Sequence, residues 1–89
     1  MKETKELDDM SIDNFCVVMK EKMDKSREKG RGGWSNPEEC TLDILWNMLR
    51  FHVDKGDPVD IANISMMIYY RQQLELVRYT RSEGLDNAY

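Results

Sequence analysis

Lys29-Gly30-Arg31-Gly32-Gly33-Trp34 gathers two cations, three glycines and one flat ring within six residues. Glycine accepts positive φ and lets backbone come close to a ligand, so successive N–H groups can converge on a phosphate. Lys29 and Arg31 add charge, and the Arg31 guanidinium can grip phosphate oxygens in a bidentate manner. Trp34 offers a face on which a base can stack, as do Phe15 and the tyrosines of the C-terminal third. Stacking contributes about 1–3 kcal/mol per base. Charge-assisted hydrogen bonds add roughly 1.5–3 kcal/mol each before the cost of association. Two bases and two phosphates therefore reach nanomolar binding, about −12 kcal/mol. The competing reading is structural, with Trp34 anchoring a core beside a turn and Gly33 permitting the bend.

Catalytic constellations are harder to find. The glycines are not followed by Lys-Ser or Lys-Thr, so the loop is no P-loop, and there is no G-x-S-x-G. Cys16 and Cys40 lack metal-site spacing, and the single histidine, His52, has no nucleophile beside it in sequence. The cysteines read as buried or half-buried thiols, and no metal or cofactor is expected. Asp57 and Asp60 have the spacing of a carboxylate pair for magnesium. They equally suit a helix start.

Charge is distributed unevenly. The chain carries a net −4, which disfavours nucleic-acid polymers, yet Lys20 to Arg31 holds six bases (Lys20, Lys22, Lys25, Arg27, Lys29, Arg31) against three acids. Arg27 joins the loop cations in a compact basic patch suited to a small anion. A solvated helix face of mixed charge is the alternative.

These residues must be positioned by helices, and the expected fold is all-α, one helical domain over 1–89 with two or three main helices. Residues 1–10 read as a polar N-terminal segment, with Ser11 capping a helix whose stripe is Ile12, Phe15, Cys16, Met19 and Met23 and whose stop is Gly30. Asn36-Pro37-Glu38-Glu39 predicts the start of the second helix, with Leu42, Leu45, Trp46, Leu49 and Val53 as its inward face and Gly56 as its end. Asp57-Pro58 predicts a third helix to about Arg81, with Gly84 beyond it and 82–89 as a polar tail. The short corner at Gly56 implies antiparallel packing of the last two helices. Ile61, Ile64 and Ile68 make one face of the third helix. Ala62, Met66, Tyr69 and Tyr70 extend around another, and so much apolar surface on a short chain predicts an oligomer. A start without an apolar core, and no membrane-length run, predict a soluble protein.

Two resemblances follow from longer stretches. The segment "DPVDIANISMMIYY" is similar to the last helix of MazG-like nucleotide pyrophosphohydrolases, which reads Glu-x-x-Asp followed by "VANFAMM". The partner motif of that family, Glu-Glu-x-x-Glu, is missing from "LDILWNMLRFHVDK", where Leu, Trp and Met take the inward positions. More extensively, "FCVVMKEKMDKSREKGRGGW" together with "MLRFHVDKGDPVDIANISMMI" resembles the phage anti-CBASS sponges, over about Ser11 to Arg71. CBASS is a bacterial defence in which cyclic oligonucleotides made on infection activate a cell-killing effector.

That resemblance implies a helical homohexamer in the host bacterial cytoplasm. It would hold cyclic dinucleotides such as 3',3'-cyclic GMP–AMP between protomers, and cyclic trinucleotides at separate three-fold sites, without cleaving either. It assigns the family's pocket aromatic to Phe15 and its lysine to Lys29, with Arg71 a candidate for the second type of site. Arg27, Gly30, Arg31, Gly32, Gly33 and Trp34 complete the candidate ligand set. The alternatives are a MazG-like pyrophosphohydrolase and a small adaptor that covers a host protein.

Overall fold

The computed structural model describes residues 2–87, and the side chains of residues 3–78. Within it the chain forms three helices and no strand: α1 (Lys2–Glu28), α2 (Leu42–Lys55) and α3 (Pro58–Asn87). The expected all-α fold is therefore observed. No described helix is long and apolar enough to cross a membrane.

Helix α1 begins well before Ser11, contrary to the expected cap there. Residues 2–10 contain no glycine or proline, and an i,i+4 pair between Lys5 and Asp9 (2.5 Å) supports the helix on its exposed side. Its C-terminus is built as expected. Gly30 takes φ +80°, its N–H donates to the Arg27 carbonyl (2.9 Å), and the Arg31 N–H donates to the Ser26 carbonyl (3.0 Å). This Schellman arrangement needs a left-handed residue at position 30, and it fixes the backbone of Arg31 directly after the helix.

The second helix starts later than the Asn36-Pro37 signal predicts. Asn36 does cap a turn, accepting the Glu38 N–H on its side chain (3.0 Å) and the Glu39 and Cys40 N–H groups on its carbonyl. The turn then stops. In a continuous helix the Cys40 carbonyl would accept from Ile44; instead it accepts from the buried Arg71 guanidinium. Thr41 supplies the replacement, extended at φ −77° and ψ 161°, with its Oγ1 accepting the Ile44 N–H at 3.2 Å. With this tertiary hydrogen bond in place the helix cap lies five residues later than expected, at Thr41 instead of Asn36.

Gly56, at φ +79°, ends α2, and Asp57 caps α3 by accepting the Val59 (3.0 Å) and Asp60 (3.4 Å) N–H groups, both as the sequence predicts. Helix α3 runs on through Gly84 to Asn87, past the end expected near Arg81.

The core is small. Leu45, Ile64, Ile68 and Cys40 are buried, with Trp34, Leu42, Leu49 and Met67 packed against them. Both α1 and α2 pack on α3, yet they make no close backbone approach to each other. Helix α3 is therefore a floor and the other two helices are walls. The expected stripe of α1 is covered only at Met19 and Met23, while every residue from Glu3 to Val18 is exposed, Ile12 at 60%. Cys16 lies on this exposed half, against the expectation of a half-buried thiol. On α2, Trp46 and Val53 of the expected stripe also face outward.

A cation-lined cleft as the candidate functional site

The gap between α1 and α2 is a cleft of about 420 Å³, with the 29–34 loop closing one end. Its origin is geometric, because two helices that share a floor without touching must leave a groove. Helix α1 contributes Lys22, Lys25, Arg27 and Met23, and the loop contributes Lys29, Arg31, Gly32 and Trp34. Helix α2 adds Met48, His52 and Lys55, and α3 adds Asp60, Asn63, Ile64 and Met67. Six bases thus face one acid around a partly apolar floor. At protein surfaces such clustering focuses a positive potential into the groove.

The periodicity of α1 explains half of this charge. Lys22, Lys25 and Lys29 are three and four residues apart, so they lie along one side of the helix and continue into the loop. Neither Lys25, Lys29 nor Arg31 forms an ion pair among the described residues. Arg27 is held by Asp24 one turn back, and Lys55 sits 5.6 Å from the Phe51 ring centroid.

Trp34 is a core anchor beside the turn, as the structural reading of its position suggested. It packs against the core and meets Tyr70 edge-on, ring centroids 5.5 Å apart, while also lining the cleft. An edge-to-face pair fixes the indole plane, so the ring is preorganised for whatever contacts its remaining surface. Gly33, at φ +79°, permits the bend, as the structural reading of the loop expected. A Cβ there would collide with the Glu39 carboxylate, so glycine at 33 allows the loop to fold back on the aborted turn.

Arg71 departs most from expectation. It is only 1% exposed, and its guanidinium donates to the carbonyls of Trp34 (2.9 Å) and Cys40, with Glu75 at 3.4 Å. The candidate ligand-binding residue is thus a buried clamp on the inner side of the loop. Its donors are directed at backbone carbonyls because residues 35–41 form no continuous helix to satisfy them.

Of the nine candidate residues, the fold brings Arg27, Lys29, Arg31, Gly32 and Trp34 to the cleft. Gly30 and Gly33 shape the loop behind it. Phe15 is elsewhere, exposed on α1 and fourteen residues before Lys29, about 21 Å along the helix axis. Lys22, Lys25, His52 and Lys55 line the cleft without having been singled out. The first two carried a readable signal in their spacing with Lys29. His52 and Lys55 carried none, since only the packing of α2 on α3 turns them toward α1.

A corner of ion pairs sits at the cleft's edge. Lys22 Nζ contacts Asp57 and lies 3.1 Å from Asp60 Oδ1. The Lys22 hydrogen bond, opposed by some desolvation and assisted by the Val59 and Asp60 N–H groups, holds the Asp57 carboxyl at about 2. Asp57 and Asp60 in turn raise the Lys22 ammonium above its ordinary value. His52 Nδ1 approaches Asp60 Oδ2 at 3.4 Å but makes no hydrogen bond, so proximity there is not a formed pair. The carboxylate pair noted for its magnesium-like spacing is therefore engaged by a lysine. Among the described residues no group of three His, Cys, Asp or Glu side chains converges. Asn63, buried between α3 and α1, donates to the Met19 carbonyl (3.2 Å) and ties the α1 wall to the floor.

A second hollow, about 490 Å³, runs along the other side of α1 and is lined by Cys16, Met19, Met23 and Met66, with Lys20, Asp24, Arg27 and Asn63. It is predominantly apolar and carries no comparable concentration of one charge. Comparison with known proteins adds no neighbour: no family model, no curated protein and no solved structure matches the chain.

Proposed function

We propose that the chain binds and sequesters small cyclic oligonucleotides, cyclic dinucleotides such as 3',3'-cyclic GMP–AMP foremost and cyclic trinucleotides in addition, without cleaving them. The observation that carries this reading is the cleft, where Lys25, Arg27, Lys29, Arg31 and Lys55 stand among Trp34 and three methionines, Met23, Met48 and Met67. Cations match phosphates, and the flat or polarisable apolar groups match bases. A groove of about 420 Å³ is within the range of small-ligand sites and far too short to follow a polymer.

In this reading the protein acts as a phage anti-defence sponge in the host bacterial cytoplasm, keeping the messenger from the CBASS effector. The extended exposed face of α1, with Leu7, Met10, Ile12 and Phe15, supports assembly into a homo-oligomer, a hexamer by the family resemblance. Phe15 then reaches a ligand only where copies meet, as an aromatic contributed to a neighbouring protomer's cleft. Arg71 is set apart from a second type of site by its burial, with one guanidinium nitrogen held on the Trp34 and Cys40 carbonyls.

The test is recovery of the ligand. Cyclic GMP–AMP mixed with excess protein should leave the free pool and return chemically intact after heat denaturation. Recovery of linear or hydrolysed nucleotide would favour a pyrophosphohydrolase-like or other nucleotide-cleaving activity. Co-purification of one host protein, with no nucleotide bound, would favour the adaptor.

A further inference from the structure

The Asp57-Pro58-Val59-Asp60 corner is left unused by the ligand reading, although it borders the cleft. We infer that Lys22 is a positioning residue of that cleft, which neutralises Asp57 and Asp60 and so converts an acidic corner into a wall that an anion can approach. The inference rests on the anion-binding reading above.

Three observations carry it. Asp60 is the one acidic residue lining the cleft among the described residues, and Asp57 lies beside it at the start of the same helix. Asp57 is held in place, its Oδ1 accepting the N–H groups that begin α3, and Asp60 is half-buried in the first turn of that helix with Oδ2 near the His52 ring. Asp57 cannot turn away without giving up the helix cap. Lys22, meanwhile, contacts both of them from α1, across 35 residues of sequence. An ammonium with two carboxylate partners has a single donor left and little net charge to offer a phosphate. Lys25, on the same side of α1, and Lys29, in the loop that follows it, have no such partners among the described residues.

A lysine that touches phosphate and a lysine that cancels carboxylates give opposite double-mutant behaviour. Lys22→Met should expose two negative charges to the ligand and weaken cyclic GMP–AMP binding roughly tenfold at moderate salt. Adding Asp57→Asn and Asp60→Asn to Lys22→Met should bring affinity back to within about threefold of the unmodified protein, whereas the same pair added to Lys29→Met should tighten binding only as much as it does in the unmodified protein, so that the Lys29 loss persists between the two pair-carrying proteins. Asparagine caps helices as well as aspartate, so the start of α3 is retained. Lys22→Arg should bind normally.

A triple variant as weak as Lys22→Met alone would overturn the inference and make Lys22 a direct contact. Should Lys22→Met fail to fold, Asp57→Asn with Asp60→Asn in the presence of Lys22 decides the matter. That variant should bind more tightly, because the lysine is released toward the cleft, and unchanged or weaker binding overturns the inference. Inorganic triphosphate is titrated in parallel. Triphosphate binding with this mutant pattern, in a protein that ignores every cyclic nucleotide, would sustain the role of Lys22 while overturning the sponge. Binding of neither probe overturns both.

Discussion

The two sides of the 29–41 loop use the same residue type for opposite ends. On the inner side Arg71 is buried and bonded to two backbone carbonyls; on the outer side Arg31 is exposed at the mouth of the cleft without an ion-pair partner among the described residues. Both are arginines with five donors, and both were candidates for gripping a phosphate. What separates them is whether the donors are already engaged. The inner arginine substitutes for the helical hydrogen bonds that residues 37–41 do not complete, and the outer one has its backbone fixed by the α1 cap while its side chain is left unassigned. A cation is a ligand residue only where the fold leaves its charge uncommitted.

The contrast breaks most clearly at Arg71. Arg71→Met should leave two carbonyls without donors beside a small core, at a cost of about 3 kcal/mol or more in urea-denaturation stability. Retention of full stability would show that the loop does not depend on its inner side. Arg31→Ala and Lys29→Ala should do the reverse. Each should weaken cyclic dinucleotide binding roughly tenfold while changing stability by less than about 0.5 kcal/mol, measured by calorimetric titration alongside melting.

Smaller effects sharpen the boundary between the two sides. Gly33→Ala combines a strained φ with a clash against the movable Glu39 carboxylate, and should cost about 1–2 kcal/mol. Glu39→Ala in the same chain should recover the part due to the clash. The acid limb of the stability curve reports on the corner beside the cleft. Because the Asp57 carboxyl is held at about 2 against an ordinary 3.8, its contribution is complete above the ordinary value and is lost as pH falls through about 2. Asp57→Asn should flatten the stability profile in that window, and an unchanged slope would show that the Lys22 contact does not persist in solution. Smallest of all, Phe15→Ala should leave the stability of the folded body unaltered, because its ring lies on the uncovered half of α1.

The uneven success of the sequence reading follows from the range of the interactions involved. Glycines 30 and 56 and Asp57 act on their own neighbours within five residues, so their effects were legible. So was the inward face of α3 at Ile64 and Ile68, which repeats with helical period. Ser11 misled because a good cap residue is also tolerated inside a helix when no breaker precedes it. Asn36 misled because its local signal was sound but met a competitor 35 residues away in sequence. The basic character of residues 20–31 was visible, and its concentration on one groove was not.

The sequence by itself determined the three-helix composition, the corners at Gly30 and Gly56, and a compact cationic stretch. Those properties depend on backbone conformational preference and on the order of charges along one helix. Only the tertiary structure decided that α1 and α2 would stand apart on α3, that Lys55 and His52 would face the loop across the gap, and that Arg71 and Lys22 would be engaged while Lys25, Lys29 and Arg31 would not. The reason is that a side chain's availability depends on every partner within reach, and those partners come from parts of the chain that folding alone brings together.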